Sequence, residues 1–443
     1  MAKTIRKRPK PQPAVIDQFI ADLEAAGERP PRDHDDFKEW LKQHSERELW
    51  FFARWILGND HLGIGDFHRK TVCPFLTDFS NSRYKLLMLP MGHLKTTVVS
   101  RSLPLHAMIQ PAAHNIYRQG TVGSNMRVLL ANENKDKCKE NLGVLATQAQ
   151  ENPWLTWLWP NVFWDDPEKE SPRWTDTELE FKRSQIWAEA SIKAIGMKSG
   201  FIGGYFDIIL PDDIACLEAS QNPPLMDRAR KFIRASMTRF YDKRRGIHIG
   251  VGTHWSGTDV YVDPWKKNPR VEVMIYSILE WNEERKTEIP LWPEKFPLDV
   301  IEEMRKGMDP IEWAHWYMNK PAPSGYTALN WNDLREYKMS EDGREIYFEE
   351  SALDERIEKR FHTISRNLGF VLGSAKYDPM NAKLRSGKSA KGIDDDYLQH
   401  MRVKYARCEV CGVVRAAAGE QPTCEHAVAT APPTGYQFLG QVQ

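Results

Sequence analysis

Apolar and polar positions follow two rhythms along this chain. Between residues 36 and 80 the apolar positions fall at helical spacing, with Trp50, Phe51, Phe52, Trp55 and Ile56 as one buried face. From Arg83 onward, short unbroken apolar runs alternate with longer, more polar stretches. The runs predict strands at Lys85–Leu89, Arg127–Ala131, Phe206–Leu210, Ile247–Val251 and Val271–Ile278. Strands alternating with helices predict an α/β fold, a mainly parallel sheet flanked by helices with its ligand at the strands' C-terminal ends. Residues 1–35 are basic and Pro-rich and read as a flexible tail with a short helix from Ala14 to Ala26. The stretch from Ser374 to Asp396 is poor in apolar residues and reads as a linker. No internal repeat is visible.

Three of the predicted strands end in residues with chemistry. The run Leu86-Leu87-Met88-Leu89 leads into Pro90-Met91-Gly92-His93-Leu94 and then Lys95-Thr96-Thr97, which opens a helix. That is the order a nucleoside-triphosphate site needs. A strand fixes the loop, and the loop turns its N–H groups inward as an anion nest. Lys95 places a charge on the β- and γ-phosphates, and the Thr96 hydroxyl reaches Mg²⁺. The strict pattern has glycine where this chain has Leu94, and Gly92 is the loop's only glycine. An apolar strand, a turn and an ordinary lysine would explain the motif taken alone.

The second run, Tyr205 to Leu210, ends in Pro211-Asp212-Asp213. One carboxylate at a parallel strand's C-terminal edge can hold Mg²⁺, and its neighbour can orient the attacking water. Adjacent acids after a strand are also common as a solvated turn or helix cap. The third, Ile247 to Gly252, ends in Thr253. In nucleotide-driven motors such a threonine sits beside the γ-phosphate, and the plain alternative is a strand end with a turn at Gly252.

Together these segments resemble the large subunit of a tailed-bacteriophage terminase, the motor that packages DNA into an empty capsid. Further segments are similar: Asp66-Phe67-His68-Arg69 before the loop, Met126 to Asn132, Ala190 to Gly196 with Gly203-Gly204, and Trp313 to Pro323. The resemblance spans about residues 45–335. It implies a P-loop NTPase of the ASCE type that hydrolyses ATP with Mg²⁺ to drive double-stranded DNA into a procapsid. Lys95 would be the phosphate lysine and Thr96 the Mg²⁺ hydroxyl, with Pro90, Gly92, His93, Leu94 and Thr97 completing the nucleotide loop. Asp212 would be the metal-side acid, Asp213 the catalytic carboxylate and Thr253 the coupling residue. The implied partners are DNA, the portal protein, the terminase small subunit and further copies of the chain in a ring on the portal, in the host cytoplasm. Many relatives carry arginine where this chain has Met91. Its absence requires another cation, in cis or from a neighbour, with Arg83, Arg101 and Arg127 as candidates.

Composition narrows the field. The chain has 443 residues, enough for two or three domains, and its 61 basic and 61 acidic side chains leave no net charge. A DNA path would therefore need local positive surface. The N-terminal Lys3, Arg6, Lys7, Arg8 and Lys10 and the cluster Arg239, Lys243, Arg244 and Arg245 are the evident basic patches. No apolar stretch is long enough to span a bilayer, no secretory signal core opens the chain, and six cysteines are too few for a disulfide scaffold. Trp154, Trp157, Trp159 and Trp164 cluster in one segment, with core packing favoured over base stacking.

The expected organisation is a tail over residues 1–35, an ATPase domain over 36–335, a remnant or linker over 336–396 and a small Cys/His module over 397–443. Residues after 330 offer no strand that delivers an acid to a two-metal cluster, so the nuclease domain of full-length large subunits is expected to be missing, truncated or encoded elsewhere. Cys408, Cys411, Cys424 and His426 instead form a set suited to tetrahedral Zn²⁺. The second pair is tighter than the usual two-residue gap, and three unpaired thiols on a tail are the simpler alternative. A second function class stays open at this level: a nucleic-acid-binding or assembly protein with a degenerate nucleotide site and a zinc docking module. Leu94 and Met91 favour it. Lys95, Asp212 and Asp213 together weigh against it.

Overall fold

The computed structural model describes residues 10–197, 203–215, 222–255, 259–261, 265–283 and 285–320. Beyond these it describes only the short strands Tyr337–Met339, Ile346–Phe348, Lys376–Tyr377, Ala406–Arg407 and Val414–Arg415. The chain divides into two compact units, Met1–Ser324 and Gly325–Gln443. In the second unit the first three of those strands form one antiparallel sheet and the last two another. The expected zinc ligands Cys408, Cys411, Cys424 and His426 lie outside the described residues, as do most of the linker and the 397–443 module.

The first unit is built on a seven-stranded sheet. Its strands are β1 (Tyr84–Met88), β2 (Val128–Asn132), β3 (Glu178–Leu179), β4 (Ile192–Gly196), β5 (Ile208–Pro211), β6 (Ile247–Gly252) and β7 (Val271–Ile275). They lie side by side in the order β3-β4-β2-β5-β6-β1-β7. All neighbours are parallel except the two-residue β3, which runs antiparallel to β4 and closes that edge. The central strands are buried along their whole length, as unbroken apolar runs require when helices cover both faces. All five predicted strands are present within a few residues of their expected ends. The alternating β4 and the antiparallel hairpin β8 (Leu279–Asn282) and β9 (Thr287–Pro290) were not anticipated.

The order of strands is what makes a site. β6 lies between β1 and β5, so the strand ending in Thr253 separates the one that feeds the loop from the one that ends in two acids. This interposed strand is the ASCE arrangement, and the fold class is as expected.

The N-terminal helix, Pro13–Ala25, buries Ile16, Ile20 and Leu23 in the main core. Helix His34–Arg47 starts on an Asp33 cap that accepts hydrogen bonds from the N–H groups of Asp35 and Asp36, and it buries Phe37 and Leu41. The tryptophan cluster is packing: Trp154 stacks on Phe19 at 4.6 Å, and the buried Trp159 donates to Glu46 at 2.8 Å.

Burial keeps four histidines neutral. It lowers His68 and His93 to about 4, and His106 and His248 to about 3. In the unfolded chain these rings take up protons near pH 6.5. Between that value and their folded values the unfolded state therefore binds more protons, and stability falls as pH falls, by at most about 1.4 kcal/mol per unit per ring. Asp212, Glu46 and Glu280 are raised by burial and oppose this, because their folded forms hold protons longer. Four rings against three carboxyls, two of them only half-buried, leave the histidines dominant. The urea midpoint is expected to be lower at pH 5 than at pH 7. A midpoint equal or higher at pH 5 would mean that the rings are not buried neutral.

Candidate active site

The loop between β1 and helix Lys95–Val99 is held from outside as well as by its own turn. Gly92 has φ +80°, a conformation open to glycine, and a Cβ there would stand 3.1 Å from Phe296. Leu94, at the position where the strict motif has glycine, adopts φ +58°. The left-handed backbone demanded by the turn is therefore kept, at a cost of about 1 kcal/mol for a side chain that does not favour it. Met91 N–H donates to the Trp316 carbonyl at 2.8 Å, and the His93 ring stacks on Phe296 at 4.9 Å. His68 meets the His93 carbonyl at 3.2 Å.

Inside this loop Lys95 is buried. Its Nζ donates to Thr253 Oγ1 at 3.0 Å and to the Leu89 carbonyl at 3.3 Å. Thr96 Oγ1 donates to one oxygen of Asp212 at 3.3 Å, and Ser100 Oγ donates to the other at 2.7 Å. Asp212 is itself fixed in the sheet. Its N–H donates to the Ala131 carbonyl at 2.8 Å, and its own carbonyl accepts from Asn132 Nδ2 at 2.7 Å. Asp213 turns out of the strand with φ +46°, its N–H donating to the Val251 carbonyl at 3.0 Å. Its carboxylate is partly exposed and makes no hydrogen bond among the described residues.

Lys95, Thr96, Asp212 and Thr253, named from the sequence, thus meet in one chain of contacts, and Asp213 adjoins it. Sequence reasoning missed Ser100 and Asn132. Ser100 lies four residues after Thr96, on the same face of the short helix, and that spacing was the available signal.

Burial, then the neighbouring Asp213 charge, pushes the Asp212 carboxyl up to about 7. A buried acid so raised favours a compensating cation. The oxygens of Thr96 and Asp212 are hard ligands of the kind Mg²⁺ takes, one or two from protein and the rest from phosphates and water. No cluster of three or more His, Cys, Asp or Glu occurs among the described residues, which is compatible with such a sparse site.

None of the three arginine candidates bonds to the loop through its side chain among the described residues. Arg83 and Arg127 directly precede β1 and β2, at the edge of the sheet opposite the loop. Arg83 donates to the Tyr117 and Arg245 carbonyls. Arg127 is buried, bonded to Asp207 at 3.0 Å and lying over Trp187 and Tyr241. Arg101 donates to Asn141 at 2.8 Å.

No family model matches the chain, and no curated protein matches it. Two solved phage large terminases are similar to it. One is an ATPase-domain variant of the large terminase of Thermus phage P74-26, at 10% identity over 55% of this chain and 90% of that one, with a TM-score of 0.33. The other is the large terminase of bacteriophage HK97, at 12% identity over 70% of this chain and 66% of that one, with a TM-score of 0.35. The nucleotide chemistry is argued from the site's own geometry.

Proposed function

We propose that this chain is the ATP-hydrolysing motor subunit of a terminase-like machine that moves double-stranded DNA into a phage procapsid. One observation carries the chemistry: Lys95, Thr96, Ser100, Asp212 and Thr253 converge at the C-terminal ends of β1, β5 and β6. Three separate segments of the chain bring an ammonium, a carboxylate and three hydroxyls to one place. The packaging role rests on the sequence resemblance, as do the proposed partners: DNA, portal, small subunit and neighbouring copies in a ring.

In this reading Lys95 and the loop N–H groups other than those of Met91 and His93, which have backbone partners, bind the β- and γ-phosphates, and Thr96 with Asp212 would hold Mg²⁺. When bound, the metal would neutralise charge between the two phosphates. Asp213 accepts a hydrogen bond from a water and aims its oxygen at the γ-phosphorus. The new P–O bond forms as the bond to the β–γ bridging oxygen breaks, ADP departs with that electron pair, and the water's proton passes to Asp213 and from there to solvent. Thr253, hydrogen-bonded to Lys95, registers whether the γ-phosphate is present and passes that state along β6.

Phosphate release by the purified chain with Mg·ATP, with and without double-stranded DNA, tests the reading. Asp213→Asn should leave ATP binding within a few-fold of the parent and lower kcat by about 100-fold or more. Loss of binding with kcat unchanged would assign the two acids the other way round. A parent chain that binds no nucleotide at all would favour the docking-protein reading.

A further inference from the structure

The loop lacks a second cation at Met91, and the three arginines the sequence offers do not supply one in contact with it. A lysine about 200 residues downstream does. Lys295 is exposed, and its Nζ donates to the Gly92 carbonyl, within the phosphate loop itself, at 3.3 Å. It lies over the Trp292 ring at 4.8 Å and the Phe296 ring at 5.7 Å. No carboxylate pairs with it among the described residues.

This placement is built. Trp292 is almost wholly buried and meets the His68 ring at 4.6 Å and the His93 ring at 5.7 Å. Phe296 stacks on His93 and stands 3.1 Å from where a Cβ of Gly92 would be. The turn from Trp292 to Phe296 is thus packed against the loop, with Lys295 carried between its two aromatic anchors. A charge without an acidic partner, on a flexible four-carbon stem beside an anion nest, is suited to a phosphate oxygen.

The geometry points to Lys295 as the second phosphate cation of this site, contacting the γ-phosphate of bound nucleotide in the role the loop arginine would otherwise fill. This rests on the nucleotide reading above. Lys95 reaches the phosphates from within the loop, and Lys295 reaches them from its outer rim. Charge that builds on the transferring phosphoryl group is then met from two sides without help from a neighbouring subunit.

The test uses the full chain and three variants: Lys295→Met, which keeps the stem on Trp292 but removes the charge, Lys295→Arg, and Lys95→Ala. Binding of ADP and of a non-hydrolysable ATP analogue is measured together with Mg·ATP turnover. Lys295→Met should bind ADP as the parent does, bind the ATP analogue about 10-fold more weakly and lose about 100-fold in kcat. Lys295→Arg should recover most of both. Unchanged ADP binding also shows that the variant is folded. Parent-like affinity for the ATP analogue in Lys295→Met overturns the inference and leaves the site assignment standing. A parent chain that binds neither nucleotide, or Lys95→Ala binding both as the parent does, overturns the site assignment itself.

Discussion

Lys95→Ala is expected to reduce ATP turnover by at least about 1000-fold while leaving the fold in place. The ammonium is the only buried positive charge in contact with the loop among the described residues, and its two partners, Thr253 Oγ1 and the Leu89 carbonyl, hold it in the nest rather than in the core packing. Removing it strips the phosphates of their nearest charge. It deletes no apolar contact on which β1 depends, since Leu86, Leu87, Met88 and Leu89 carry that burial. Phosphate release beside a urea melt separates the two effects. Turnover that survives the substitution would dismiss the loop as a nucleotide site, whatever the fold.

The second large effect is steric. Gly252→Ala should cost about 3 kcal/mol of stability and at least tenfold in turnover. A Cβ at Gly252 would lie 2.0 Å from the Tyr261 hydroxyl oxygen and 2.1 Å from the ring carbon that bears it. The ring has nowhere to retreat. It is fully buried and stacked at 5.5 Å on Trp265, which in turn covers Gly250. The strain must then pass into β6, whose next residue is Thr253. Tyr261→Ala removes a fully buried ring and is itself costly, so the pair should destabilise by less than the sum of the two single changes. If Gly252→Ala melts with the parent, the tight approach of Tyr261 to the strand is wrong.

Much of this site could be read from the chain because its strands are buried on both faces. Such strands appear as unbroken apolar runs, and the first polar residues after them mark the sheet's C-terminal edge, which is how Asp212 and Thr253 stood out, while Lys95 stood out at the start of a helix after a short loop. β4 did not, because its Lys193 and small residues give the mixed pattern of a strand covered on one side only. Strand order was also hidden. Hydrophobic runs say that strands share a sheet, but the partner of each is fixed by helix packing between distant segments. Arg127 shows the limit of nearness in sequence. It precedes a site strand, yet its guanidinium serves a buried carboxylate cluster at the other edge. Lys295 shows the converse, since nothing local to Pro293 or Glu294 announces that this turn folds back on Gly92.

The interposed position of β6 has a consequence for how changes at this site combine. Lys95 reaches the strand through Thr253, and Asp213 reaches it through the Val251 carbonyl, while β1 and β5 do not pair with one another. Within the sheet this strand is their only common neighbour, and outside the sheet Thr96 and Ser100 bond the loop's helix directly to Asp212. In a double-mutant cycle, Lys95→Ala and Asp213→Asn should show a coupling that shrinks when Thr253 is also replaced. The coupling that remains would be carried by the bonds of Thr96 and Ser100 to Asp212.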